Sequence, residues 1–264
     1  MSQDLSPYIA LAERLADAGA AIVRRYFRTR VAIDDKADQS PVTIADREAE
    51  AAMRDMIIKA QPDHGVVGEE LGSHKPGASH VWILDPIDGT RSFVTGRPMF
   101  GSLIALCRDG RPIVGIIDCP AMDERWIGAV GRPTLHRSRF APEGPVRVRA
   151  CGQLNEAATY CTSPQMFDAE GFQRFEQVRK ATRLILYGGD CYAYGLLASG
   201  FADLVVEADL SGYDWAAIEP VIAGAGGSLT GWDGKPLDVA AAKSRVLAVG
   251  DQRLRDKTVA LLTA

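Results

Sequence analysis

Apolar positions at the start of the chain recur every three or four residues. Tyr8, Leu11, Ala12, Leu15, Ala18, Ile22, Val23 and Tyr26 would line one face of a helix. A polar stretch, Asp34 to Ser40, breaks the rhythm. Ser40-Pro41-Val42-Thr43 leads into a second predicted helix, with Thr43 as N-cap and Asp46 in the first turn, near the positive end of the helix dipole. Ala45, Ala49, Ala52, Met53, Met56, Ile57 and Ala60 share one face of that helix. From Val66 the pattern changes to that of strands. Val81-Trp82-Ile83-Leu84 is a short apolar run ending at Asp85. Ser102–Leu106 and Pro112–Ile117 flank Arg108-Asp109-Gly110-Arg111 as a hairpin, and Arg125–Val130 follows as a strand. Gly and Pro gather between Gly131 and Pro145, where a subdomain boundary is expected. Beyond it, helices are predicted at Phe167–Ala181, Cys191–Ala198, Trp215–Ala225 and Gln252–Leu262. They alternate with strands at Leu184–Tyr187, Asp203–Val206 and Arg245–Val249. This mixture predicts a layered α/β (α+β) architecture. Residues 1–145 would form an N-terminal α+β subdomain and 146–264 a C-terminal α/β subdomain, together one compact unit.

Composition narrows the function. The 264 residues are 47% hydrophobic and 24% charged, the make-up of an ordinary globular protein with a large core. No run approaches the roughly twenty apolar residues of a membrane helix. Met1 to Ser6 lack the basic and then apolar pattern of a secretory leader. Net charge is −4 and the basic residues are dispersed, which argues against a nucleic-acid partner. An acidic protein acting on an anion needs a cation or backbone dipoles to offset repulsion. Five irregularly spaced cysteines fit a reducing compartment such as the cytoplasm rather than a disulfide framework. They are expected as small core fillers. With no CxxC pair and four histidines (His64, His74, His80, His136), a structural zinc site is not expected, and the histidines read as exposed loop residues.

The chemistry concentrates in Trp82-Ile83-Leu84-Asp85-Pro86-Ile87-Asp88-Gly89-Thr90. A buried strand ends at one carboxylate, turns at Pro86 and presents a second. Gly89 permits close backbone approach, and Thr90 adds a hydroxyl at a possible helix start. Two acids this close repel unless a cation lies between them, and oxygen ligands without His or Cys point to Mg²⁺. Backbone N–H groups at Gly89 and Thr90 would suit a phosphate. The plain alternative is an Asx-type turn with solvated acids. Glu69-Glu70 after Val66-Val67 is a second acidic pair, ordinary on its own. Asp214 could be an N-cap or a ligand, and Asp46 a first-turn charge or a ligand.

Asp85-Pro86-Ile87-Asp88-Gly89-Thr90, with Glu69 upstream and Asp214-Trp215 downstream, resembles the inositol monophosphatase family of magnesium-dependent phosphomonoesterases. The resemblance runs from the Thr43…Asp46 helix to Gly224-Ala225-Gly226-Gly227 and implies an αβαβα sandwich. Ser40-Pro41-Val42-Thr43-Ile44-Ala45-Asp46-Arg47, Arg91-Ser92-Phe93-Val94-Thr95-Gly96 and above all Gly189-Asp190-Cys191-Tyr192-Ala193-Tyr194 look most like its histidinol-phosphate phosphatase branch. In inositol phosphatases a small neutral residue usually stands at the place of Asp190. An added carboxylate suits the ammonium of L-histidinol phosphate. Capping of the following helix is the other role open to it.

The resemblance implies two to three Mg²⁺ ions. Glu69, Asp85 and the Ile87 carbonyl would hold one; Asp85, Asp88 and Asp214 a second; Glu69 and water a third. Asp46 and Thr90, with Glu69, would position or deprotonate the attacking water. Gly89 and Thr90 amides would bind the phosphate, Asp190 and Glu207 the histidinol half. Arg183 is a further candidate contact, with a solvated surface role as its alternative. The family implies a homodimer. The expected reaction is hydrolysis of L-histidinol phosphate, with inositol-1-phosphate or broad sugar-phosphate hydrolysis as alternative. A non-catalytic partner of RNA-associated machinery is weaker, because every catalytic position is intact. Bisphosphate-specific branches carry an insertion after the first acidic pair, and the Glu70-to-Trp82 connection is short.

Overall fold

The computed structural model describes residues 4–30, 32–35 and 41–264. Of the polar break Asp34–Ser40, only Asp34 and Asp35 fall within these. Ser40 and residues 1–3 lie outside the described residues. Helix α1 (Ser6–Tyr26) buries Leu11, Ala12, Leu15, Ala16 and Val23 along the predicted stripe. Two short strands, β1 (Ile33–Asp35) and β2 (Pro41–Thr43), pair antiparallel before α2 (Ile44–Ala60). Thr43 is the N-cap, as the sequence predicts: its hydroxyl accepts from the Ala45 N–H at 3.1 Å.

Nine more elements follow: β3 (Gly65–Gly68), β4 (Gly72–His74), β5 (His80–Asp88), α3 (Thr90–Val94), β6 (Gly101–Arg108), β7 (Arg111–Cys119), β8 (Glu124–Ala129), β9 (Leu135–Ser138) and β10 (Gly144–Pro145). Among the described residues their strands form one eight-stranded sheet, ordered β10-β9-β8-β7-β6-β5-β3-β4. Only β3 and β5 are parallel neighbours in it. The Gly- and Pro-rich stretch 131–145 therefore contributes β9 and β10 to this sheet.

The remaining elements are β11 (Ala158–Cys161), α4 (Ala169–Ala181), β12 (Leu184–Tyr187), α5 (Asp190–Ala198), β13 (Leu204–Leu210), α6 (Gly212–Trp215), α7 (Ile218–Gly224), β14 (Ser228–Gly231), β15 (Ser244–Val249) and α8 (Gln252–Thr263). Their strands form a five-stranded sheet ordered β12-β11-β13-β15-β14. The helix predicted over Trp215–Ala225 is divided into α6 and α7. Pro220 has no amide to donate, and its ring would crowd the carbonyl four residues back.

Strand alternation decides the layers. On β5, Trp82 and Leu84 face one way and pack with Leu11 and Leu15 of α1 and Met53 and Ile57 of α2. Ile83 faces the other way, toward Leu197 of α5, Val221 of α7 and Val205 of β13. On β13, Leu204 and Val206 point outward to Phe175 of α4 and Leu254 of α8. The stacking is thus helix, sheet, helix, sheet, helix: the αβαβα sandwich. Both sheets are covered on two faces, so β5 to β7 are nearly continuous buried runs. Gly115 lets α7 approach closely, since a Cβ there would lie 2.0 Å from the Ala217 carbonyl oxygen. No helix among the described residues is long and apolar enough to cross a membrane.

All five cysteines are free and buried, as expected. The histidines differ from expectation, since none is exposed. His64 is buried, accepts the Trp82 Nε1–H at 3.1 Å and stacks on His80 with ring centres 4.9 Å apart. His136 stacks on Trp126 at 4.6 Å. Their ring faces are apolar, and here they serve as packing surface.

Candidate active site

Strands β3 and β5 run parallel with Gly68 opposite Leu84, so their next residues, Glu69 and Asp85, emerge side by side. The Glu69 N–H donates to the Leu84 carbonyl at 3.2 Å. In a regular strand Asp85 and Asp88 would face opposite sides. The pairing of β5 with β6 slips between them, which lets both turn inward. Pro86 donates nothing to the ladder; its carbonyl accepts from the buried Ser102 hydroxyl at 2.6 Å. The Ile87 N–H folds back onto Asp85 Oδ1 at 3.0 Å. Gly89 follows at φ +84°, a conformation glycine takes freely, and a Cβ there would lie 2.7 Å from Asp190 Oδ2. Thr90 begins α3, and its hydroxyl donates to the Ile87 carbonyl at 3.0 Å.

Asp46 and Asp214 arrive by one shared device. Thr43-Ile44-Ala45-Asp46 and Ser211-Gly212-Tyr213-Asp214 are both capping boxes. In each, the aspartate accepts the N-cap amide through Oδ2, at 2.8 Å for Asp46 and 2.6 Å for Asp214. Asp214 therefore lies in the first turn with Ser211 as the N-cap. The cap fixes each carboxylate while leaving its second oxygen available. In Asp46 that oxygen, Oδ1, is buried with no partner among the described residues. One oxygen each from Asp85, Asp88 and Asp214 lie within 4.8 Å of one another.

This crowding raises proton affinities. Burial pushes Asp85 well above the usual carboxylate range, and the charges of Glu69, Asp88 and Asp214 add to it. Asp88 is raised in the same way by burial and by Asp190 and Asp214. Asp214 is pushed up to about 7, chiefly by burial and against the Ser211 amide. Burial also raises Asp46, opposed by its bonds from Thr43. Three desolvated carboxylates facing one point fit a hard divalent cation, which would reverse all of these penalties.

Next to the cluster is a recess of about 60 Å³ lined by Asp88, Asp190, Glu207 and Asp214 with Thr162 and Tyr194 among others, and by no basic side chain. Glu207 is buried and accepts from the Thr162 N–H at 2.9 Å and the Tyr194 hydroxyl at 2.7 Å. Asp190 opens α5 at φ +45° and accepts from the Ser92 hydroxyl at 2.8 Å. Gly189 is the N-cap of α5, so the Asp190 side chain does not cap it. Burial raises Asp190, opposed by the Ser92 hydroxyl and the nearby Arg97 and Arg91. The structure thus brings Asp46, Glu69, Asp85, Ile87, Asp88, Gly89, Thr90, Asp190, Glu207 and Asp214 to one region. Arg183 is elsewhere. It is exposed at the amino end of β12, on a separate groove with Arg149 and Phe201. Glu207 is the middle residue of β13; through β11, parallel to both strands, it falls level with the position just after the end of β12. Thr162 carried no signal in the sequence; Tyr194 and Cys191 stood in the singled-out Gly189–Tyr194 segment without a role, and here the Cys191 N–H donates to Asp88 Oδ2 at 2.5 Å. The Ser/Thr-x-x-Asp spacing was the available signal for the two capped aspartates.

A family model described as the inositol monophosphatase family matches residues 4–264. The chain belongs to the inositol monophosphatase family. Its activity class is therefore phosphoric monoester hydrolysis. Over 264 aligned residues it is 45% identical to the chloroplastic bifunctional phosphatase IMPL2 of Arabidopsis thaliana, covering 97% of this chain and 75% of that protein. It is 36% identical over 228 residues to the histidinol-phosphatase of Mycobacterium tuberculosis, covering 86% and 88%. A solved inositol monophosphatase from Zymomonas mobilis superposes with a TM-score of 0.89 at 43% identity over the full length of both chains. The layered fold and the order of the acidic residues agree with this membership.

Proposed function

We propose that this chain hydrolyses L-histidinol phosphate to L-histidinol and phosphate with two to three Mg²⁺ ions. The observation that carries the choice of substrate is the recess beside the acidic cluster. Its walls present Asp190 and Glu207 and no basic side chain, which favours a leaving group bearing an ammonium. The similarity to a histidinol-phosphatase supports the same reading. Glu69, Asp85, Asp88, Asp214 and the Ile87 carbonyl would hold Mg²⁺, which supplies Lewis acidity and neutralises the phosphate. The unpartnered Asp46 Oδ1 accepts a proton from the attacking water. The Thr90 hydroxyl, its own proton directed at the Ile87 carbonyl, accepts a hydrogen bond from the same water. Gly89 and Thr90 present amides to the phosphate, and Asp190 and Glu207 orient the histidinol amine. The water oxygen bonds to phosphorus as the ester P–O bond breaks, and the departing alkoxide takes a proton from a second water. Positioning and electrostatics are what such transfer requires of a protein.

The second reading, inositol-1-phosphate hydrolysis, draws on the likeness to the Zymomonas mobilis enzyme. A homodimer is part of the proposal. Strand β12 is a sheet edge with Leu184, Leu186 and Tyr187 at 54%, 39% and 44% exposure, an apolar edge suited to a second copy. Phosphate release from both esters, with Mg²⁺ and with a chelator, tests the activity. Asp190→Ala should cut kcat/KM for histidinol phosphate roughly tenfold or more beyond its effect on inositol-1-phosphate, the worth of one buried charged hydrogen bond. Equal losses on the two esters would refute the amine role.

A further inference from the structure

Glu50 is fully buried at 0% exposure in α2, and nothing in the chemistry above uses it. A carboxylate is rarely taken so deep without a task. Its Oε2 accepts from the Glu70 N–H at 2.7 Å, and its Oε1 accepts from the Leu71 N–H at 3.1 Å. Arg54 Nη1 donates to the same Oε1 at 3.1 Å and to the Gly72 carbonyl at 2.8 Å. Glu50 and Arg54 therefore grip the whole turn from β3 to β4. Gly68 makes room for them: a Cβ there would lie 1.9 Å from Glu50 Oε1.

Glu69 sits inside this grip. Its own N–H is tied to Leu84 of β5, and the next two amides are tied to Glu50. We propose that Glu50 is a positioning residue, which by holding the Glu70 and Leu71 amides sets the direction in which the Glu69 carboxylate enters the acidic cluster. This rests on Glu69 being a cation ligand, as proposed above. Glu69 lies between the 68–69 peptide, held by its N–H on Leu84, and the 69–70 peptide, held by the Glu70 N–H on Glu50. Fixing both planes fixes the backbone of Glu69 and so the direction of its side chain, and the Leu71 bond braces the next plane. The geometry parallels the outer partners of metal ligands, whose loss weakens metal binding without removing a ligand.

The test uses the purified full chain. Glu50→Gln leaves one carbonyl oxygen for two amides and turns an NH₂ toward a donor. Mn²⁺ binding is followed by electron paramagnetic resonance, Mg²⁺ activation by ester hydrolysis, and folding by Tm. The Mn²⁺ dissociation constant and the Mg²⁺ midpoint should rise roughly 10- to 100-fold, by more than kcat falls at saturating Mg²⁺. Arg54→Met, which keeps the apolar stem, should move both in the same direction by less, and it decides the matter if Glu50→Gln does not fold. Met53→Ala opens a cavity in the same helix, and it should lower Tm while leaving both midpoints in place. A Glu50→Gln protein that loses Tm like Met53→Ala but binds Mn²⁺ like wild type would overturn the proposal. A wild type that neither binds Mn²⁺ nor needs Mg²⁺ would instead overturn the cation reading itself, and Glu50 with it.

Discussion

Removing divalent cations should make this protein less stable as pH rises, the reverse of the usual carboxylate behaviour. The cause is the shared burial of Asp85, Asp88 and Asp214. Asp214 ordinarily titrates at 3.8 and here at about 7. Between those values the folded form keeps a proton that the unfolded form has lost, so each pH unit costs roughly 1.36 kcal/mol of stability. Three units give about 4 kcal/mol from this group, and Asp85 and Asp88 shift in the same direction. In a chain of this size that is on the order of 8 °C in Tm. Bound Mg²⁺ replaces the protons. At one hundred times its dissociation constant it should return about 2.7 kcal/mol at pH 8. The assay is Tm in chelator from pH 4.5 to 8.5, repeated with Mg²⁺. Asp214→Asn keeps an oxygen for the Ser211 amide and removes the titration, so its chelator curve should be flatter. A wild-type curve that is level or rising through pH 5 to 7 in chelator would show that these carboxylates are not crowded in solution.

Asp88→Asn should abolish most turnover while raising Tm in chelator, because it removes one repelling charge; near-normal turnover at saturating Mg²⁺ contradicts the site. Thr90→Ala should lower kcat roughly 100-fold with little change in the Mg²⁺ midpoint, and a defect confined to that midpoint would count against its role at the water. Tyr194→Phe removes the hydroxyl bound to Glu207. It should cost about 1–3 kcal/mol of stability, and KM should rise more than kcat falls; an unchanged KM would take Glu207 out of the substrate pocket.

The local elements were legible because their causes are local. The stripe of α1, the Thr43 cap and the Arg108–Arg111 hairpin each depend on residues a few positions apart. Strands β1, β2, β4, β9, β10, β11 and β14 were missed. They are two to four residues long, too short for any period to show, and they exist because a neighbouring strand pairs with them. The Asp85–Thr90 segment announced its chemistry because two carboxylates, a proline and a glycine must lie within one turn to expose both acids.

What the sequence by itself determined is therefore the family and its class of reaction, through the resemblance carried by Asp85–Thr90 with Glu69 and Asp214. The tertiary structure decided which of them meet. Glu69 stands beside Asp85 because β3 and β5 are parallel and in register, a pairing set across an intervening segment. Arg183 and Glu207 are apart because β12, β11 and β13 run parallel, and Arg183 precedes the first residue of β12 while Glu207 falls level with the position after its last. Glu50 gave no signal in the sequence, since a glutamate on a helix is ordinary until the fold buries it against two amides from another turn.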